Sequence, residues 1–180
     1  MLQIALNYSI KWRYSYNDTK TVAMIWGKDK DQNTAIVMGH TSIEVSQNCK
    51  HMGVTLSSSR TQQKQFIDKR INSARASLLA ARGLGSVQVP MSPAVLSKLY
   101  WSVSIPKLTY GLDVMPLDHS DMAELEKAHR SNAKLVQGLP SCTPNPAPLA
   151  ALGWISLASY ISMIRIMFML RTLCTKDGNI

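Results

Sequence analysis

Cysteine is scarce: Cys49, Cys142 and Cys174 are the only three in 180 residues, an odd number at wide spacings. Neither a disulfide framework nor a Cys-x-x-Cys zinc or redox motif can be drawn from them, and a reducing compartment is the default. Acidic residues are also few, 11 Asp and Glu against 20 Lys and Arg, which leaves a formal charge of +9. That excess suits a polyanionic partner, either nucleic acid or an acidic membrane surface, as well as plain solubility. Only 8 Pro and 9 Gly are present, with 46% hydrophobic and 17% charged residues, so collagen-like repeats are excluded and wholesale disorder is disfavoured. The apolar patch Leu2, Ile4, Ala5 and Leu6 has no preceding basic residue and no small-residue cleavage site. No export signal is read there, and an intracellular protein of cytoplasm or nucleus is expected.

Most small-molecule and metal chemistries fail on spacing. Asp29, Asp31 and Asn33 begin like a calcium loop, but Thr34 stands where a Gly is needed and His40 where a bidentate Glu belongs. These residues read instead as a solvated hairpin tip. Cys49 and His51 share one face of a strand without third or fourth ligands, and His40, His119 and His129 make no metal spacing. Gly83 and Gly85 could open a phosphate loop, but Gln88 occupies the third glycine position, and no Gly-x-Ser-x-Gly elbow occurs. The uncharged stretch 147–164 is long enough to span a bilayer. Pro148, Gly153 and three serines dilute it, however, and Arg165 and Arg171 stand on its apolar continuation, so a buried or partner-facing helix is expected and no membrane.

The chain changes texture three times. Residues 1–14 can form a helix with Leu2, Ala5, Leu6 and Ser9 on one side, ending at Trp12, Tyr14 and Tyr16. From Lys20 onward, TVAMIW, TAIVMG, TSIEVS and KHMGVTLS are short runs rich in β-branched residues, which read as a small antiparallel meander. Residues 60–83 carry Ile67, Ile71, Ala74, Leu78 and Ala81 at spacings of four and three, a helical seam closed by Gly83. A helix opening at Ser92-Pro93 is interrupted by Pro106, and another opens at Asp118, Ser120, Asp121 and Glu124 and closes at Gly138 and Pro140. Residues 140–148 hold four prolines and read as a connection before a final apolar helix over 149–174. The expected class is α+β, with segments 1–59, 60–139 and 140–180: a small antiparallel sheet, a mainly helical region, and a Pro-rich connection with its apolar helix.

The basic excess is uneven, with 12 basic and 5 acidic residues in 1–90 against 8 and 6 in 91–180. Within 60–82, Arg60, Lys64, Lys69, Arg70, Arg75 and Arg82 face only Asp68. At about 100° per residue, Lys64, Arg75 and Arg82 fall within roughly 20° of one another, on one flank of the apolar seam. A phosphate-tracking stripe fits that arrangement, and so does a solvated face.

Taken in order, KWRYSYNDTKTVAMIW, KHMGVTLSS, the basic helix and KLYWSVSIPKLTYGLDV resemble the C-terminal part of the reverse transcriptase of non-LTR, LINE-like retrotransposons. The resemblance covers about residues 1 to 165 and implies the end of a polymerase palm followed by a thumb-like helical region. It places Lys20, in the N-x-x-K-T segment Asn17 to Thr21, near the incoming nucleotide, where a lysine assists proton transfer or neutralises phosphate. It makes Lys50, His51, Met52, Gly53 and Val54 the hairpin of a primer grip, with His51 and Met52 where the family usually has Tyr and Leu. It gives Lys64, Arg75 and Arg82 the task of contacting phosphates of an RNA and DNA template and primer duplex.

The family's palm also supplies two adjacent aspartates, in a Y/F-x-D-D turn, to a two-metal site. No Asp-Asp pair occurs in this chain, and Asp18 reads as a turn residue without a partner carboxylate. The resemblance begins after that turn, so the chain is expected to have no cofactor of its own, with Mg²⁺ belonging to a complete polymerase. It is expected to be inactive alone and to work with the upstream polymerase segment of the same element. The alternative is a domesticated or decayed remnant that acts as a non-catalytic helical protein-interaction module through the apolar residues Met163, Ile164, Met167, Met169 and Leu170.

Overall fold

A computed structural model describes residues 2–17, 20–25, 36–38, 41–57, 59–83 and 91–174. The expected hairpin tip with Asp29, Asp31, Asn33 and Thr34, together with Asp18, His40, Gly85 and Gln88, lies outside the described residues. The class is α+β. Two compact units, 1–63 and 64–180, divide the chain.

The first unit opens with α1, Leu2–Lys11. The helix stops on a residue in the left-handed region, Arg13, with φ of 55°. Tyr14 N–H donates to the Ser9 carbonyl at 3.1 Å and Arg13 N–H to the Ile10 carbonyl at 3.3 Å, the paired bonds that close a helix when the chain reverses. The reversal lays Tyr14 edge-on to Tyr8 and Tyr16. The hydrogen bond to Tyr16 pushes the Tyr14 hydroxyl up to about 12.

Five short strands follow: β1 Val22–Ala23, β2 Ile36–Met38, β3 Thr41–Val45, β4 Asn48–His51 and β5 Val54–Ser57. They do not form the expected meander. The order is β1-β3-β2, with β1 parallel to β3 and only β2 antiparallel to it, while β4 and β5 make a separate hairpin. A parallel neighbour needs a connection of about a dozen residues or more, and the stretch between Ala23 and Thr41 is long enough to supply it. Among the described residues of this unit only Ser9, Ile43 and Val54 are buried, so the strands cover very little core.

The helix α2, Arg60–Gly83, begins at the end of the first unit and runs into the second. Ile67, Ala74 and Leu78 of the expected seam are buried, but Ile71 and Ala81 are only half-buried and Phe66 joins the core instead. Pro106 does not end the next helix. α3, Pro93–Leu99, continues through a π turn, Tyr100–Ser104, into α4, Ile105–Thr109. A proline has no N–H to donate and crowds the carbonyl four residues back, and a wider turn just ahead of it relieves both. α5, His119–Gln137, is closed at its start by a reciprocal box between Asp118 and Asp121 and at its end by Gly138, with φ of 68°.

The expected helix over 149–174 is two helices, α6 Pro146–Leu152 and α7 Leu157–Cys174. Gly153, with φ of 65°, closes the first, and Ser156 caps the second, its Oγ accepting from Ser159 N–H at 3.1 Å. Both helices pack on α5, and residues 140–174 lie within the same compact unit as 64–139. By length and composition α7 is apolar enough to cross a membrane, with mean hydropathy 1.4. Its Arg165 guanidinium donates to the carbonyls of Leu112, at 3.0 and 3.1 Å, and Met115, at 2.6 Å, tying the helix to the loop after α4. All three cysteines are unpaired.

Candidate nucleic-acid interface

In the first unit one carbonyl gathers three donors from the end of the N-x-x-K-T segment. Asn17 C=O accepts from Lys20 N–H at 3.1 Å, Thr21 N–H at 3.0 Å and the Thr21 hydroxyl at 2.9 Å. Lys20 is exposed at its end. Lys50 to Val54 form the tip of the β4–β5 hairpin, in which His51 pairs with Val54 and Met52 and Gly53 alone make the loop. Both loop residues have positive φ, 49° and 77°, the backbone of a two-residue turn that matches strand twist. Glycine adopts that conformation freely and methionine does not. Met52 nevertheless stands 76% exposed at the tip, beside exposed Lys50 and His51, while Val54 turns into the core. Among the described residues no hydrogen bond or ion pair joins Lys20 to this hairpin.

In the second unit α5 fixes the geometry. Its inner face, Leu125, His129, Asn132, Ala133 and Val136, is buried. His129 Nε2 lies 3.1 Å from the Ile155 carbonyl, which can only accept, so Nε2 carries the proton and Nδ1 is free to accept. The Tyr100 hydroxyl donates to that Nδ1 at 2.9 Å. Burial holds the His129 imidazole below its usual range and raises Tyr100, whose oxygen in turn takes a hydrogen bond from the Asn132 side chain. This polar core sets the rotation of α5 about its own axis and so decides where the opposite face points.

That face carries Lys127, Arg130 and Lys134, spaced three and four residues apart and therefore in one stripe. The stripe lines a cavity of about 680 Å³ whose walls also include Arg75 and Ser131. Arg75 Nη1 donates to Ser131 Oγ at 3.0 Å, bridging α2 to α5. Lys134 Nζ donates to the Ser141 carbonyl at 2.8 Å and to Asn145 Oδ1 at 3.2 Å, which folds the Pro-rich connection over one end. Among the described residues, four cationic side chains and no carboxylate face this space.

The three basic residues expected to act together are not equivalent. Arg75 lines the groove. Lys64 is paired with Glu124 at 3.2 Å, an exposed contact of small energetic weight. Arg82 is exposed on the last turn of α2 and does not line this cavity. Arg70 is taken by packing, its guanidinium lying 4.7 Å from the Phe66 ring centre and 4.8 Å from that of Tyr110. Lys127, Arg130 and Lys134 were not singled out by the sequence analysis, although their spacing on a well-capped helix was available to it.

Among the described residues no three His, Cys, Asp or Glu side chains gather at one point. Compared with protein-family models, with curated proteins and with solved structures, the chain gives no match.

Proposed function

We propose that this chain is a nucleic-acid-contacting part of a LINE-like reverse transcriptase, the end of the palm with its primer-grip-like hairpin followed by thumb-like helices. The observation that carries the reading is the basic cavity between α2 and α5, where the described lining residues include four basic side chains and no carboxylate. Phosphates suit that lining because each bound cation releases counterions from the nucleic acid, a sequence-independent gain. The few buried side chains among the described residues of the first unit also suit a piece of sheet that belongs against further strands. Lys20 and the hairpin Lys50–Val54 are assigned the family's roles beside the nucleotide and the primer end, and Lys64, Arg75 and Arg82 remain phosphate contacts. Lacking the Asp-Asp pair, the chain binds the template and primer and leaves polymerisation to the upstream segment.

The test is titration of a labelled RNA–DNA hybrid at 50 and 200 mM salt. A groove neutralising about three phosphates predicts a loss of roughly 50-fold across that range. Affinity indifferent to salt would overturn the reading.

The second reading, a helical protein-interaction module, is favoured by one feature of α7. From Met163 onward Ile166, Met167, Phe168, Met169, Leu170 and Leu173 are all exposed, far more apolar surface than a solvated helix needs. Light scattering on the purified chain separates the two. A monodisperse self-associated species that ignores nucleic acid supports the module.

A further inference from the structure

The basic cavity does not end at Lys127. Arg75, Lys127 and Ser131 also line a second cavity of about 300 Å³, so the two form one trough along α2 and α5. The chemistry changes along it. The far end is lined by Asp68, Glu124 and Asn132, groups that accept hydrogen bonds, with Ile71 and Ala128 between them. Glu124 is paired with Lys64, but Asp68 is exposed on the surface of α2. Asn132 is 2% exposed, and its Oδ1 is a buried acceptor with no partner among the described residues, although its amide nitrogen serves Tyr100. A buried acceptor left unmatched is costly, and it marks a place where a donor is wanted.

A ligand for this trough therefore combines a phosphate with a hydroxyl or amine donor close by. A ribonucleotide unit has both, the phosphate on one side and the 2′-hydroxyl on the other, whereas a deoxyribonucleotide has the phosphate alone. The volumes are those of a small-ligand pocket, so a strand would enter one or two units at a time, while a duplex would lie across the mouth.

We propose that the α2–α5 trough holds a unit of single-stranded RNA, its phosphate against Arg75, Lys127 and Arg130 and its 2′-hydroxyl donating toward Asp68 and Asn132. The proposal rests on the nucleic-acid reading above and adds to it a preference for ribose over deoxyribose. Ser131, already accepting from Arg75, keeps its own O–H to donate to the phosphate.

The experiment measures anisotropy of labelled octamers of uridine and of deoxyuridine on the full chain at fixed salt, with unlabelled UMP as competitor. The expected result is a five- to tenfold preference for the ribose strand, with UMP competing only at millimolar concentration. Asp68→Asn, on an exposed position and nearly isosteric, is expected to reduce that preference to about twofold, mainly by tightening the deoxyribose strand. Equal binding of both strands that still falls with salt would overturn this proposal and leave the nucleic-acid reading standing. Binding of neither strand would overturn this proposal, while the hybrid titration decides the nucleic-acid reading separately. A preference unchanged in Asp68→Asn and in a folded Asn132→Leu variant would place ribose recognition elsewhere, and displacement by micromolar UMP would make a free nucleotide the occupant.

Discussion

The Trp154 indole lies flat on the Tyr100 ring, with centroids 4.5 Å apart and planes 5° from parallel. Two unrelated backbone devices bring the pair together. The π turn directs Tyr100 inward while its neighbour Trp101 meets the same cluster edge-on, and the closure of α6 at Gly153 swings Trp154 back over them. Trp154 Nε1 then finds Ser97 Oγ at 2.8 Å, which leaves its polar atom satisfied under near-complete burial. His129 completes the cluster from α5, so the aromatic core and the orientation of the basic groove share one residue.

That sharing gives the second unit a pH-dependent stability. Burial lowers the His129 pKa, so the folded state holds the neutral ring and protonation favours the unfolded chain. The contribution is fully present above the unfolded value near 6.5 and is lost as pH falls through the depressed folded value. Urea denaturation between pH 7.5 and 5 is expected to show stability dropping by up to about 1.4 kcal/mol per pH unit within that window. His129→Gln should flatten the dependence, and an unchanged slope in that variant would assign it to another group.

Gly138 and Gly153 hold left-handed conformations with open space where a Cβ would sit. Their role is therefore conformational rather than steric. Gly138→Ala and Gly153→Ala are each expected to cost about 1 kcal/mol, measured as a shift in denaturation midpoint without a change in slope. The Gly153 variant should in addition perturb Trp154 fluorescence, since the residue after the turn is the one it aims.

Met52 is the reverse case, a bulky residue where asparagine or glycine belongs. Met52→Asn is expected to stabilise the β4–β5 hairpin by about 0.5 to 1 kcal/mol, seen as greater hydrogen-exchange protection of His51 and Val54. If the exposed thioether contacts a primer end, the same variant will weaken hybrid binding while strengthening the hairpin, and opposite signs in the two measurements would separate function from stability.

Local signals in the sequence survived into the structure where a single element decided them. Asp118, Asp121 and Gly138 bound α5 as their chemistry required, and the Lys50–Val54 segment folded as a hairpin. The failures came where distance mattered. Nothing local distinguishes β1 pairing with β3 from β1 pairing with β2, because a two-residue strand carries too little pattern to select its partner. The break between α6 and α7 is legible in Gly153 and Ser156, but the uncharged apolar run around them imitates one continuous helix. The groove was half legible. Arg75 belonged to a visible stripe, while Lys127, Arg130 and Lys134 gain meaning only once the buried His129 and Asn132 fix the outward face of α5.

The groove makes a prediction that net charge alone does not. Lys127→Glu with Arg130→Glu reverses two charges that line the cavity, and Lys98→Glu with Lys107→Glu reverses two exposed ones on α3 and α4 that do not. Long-range attraction falls equally in both, so a protein that binds through its overall charge would lose the same affinity either way. If phosphates sit in the groove, the first pair should lose on the order of 10- to 100-fold for an RNA–DNA hybrid at 100 mM salt, and its log–log salt slope should fall by about 2. The second pair should lose a few-fold with the slope nearly kept. Lys127 and Arg130 make no ion pair among the described residues, so their reversal leaves no buried charge behind, and circular dichroism on both variants should match the parent chain. Equal losses in the two variants would remove the groove from the binding site.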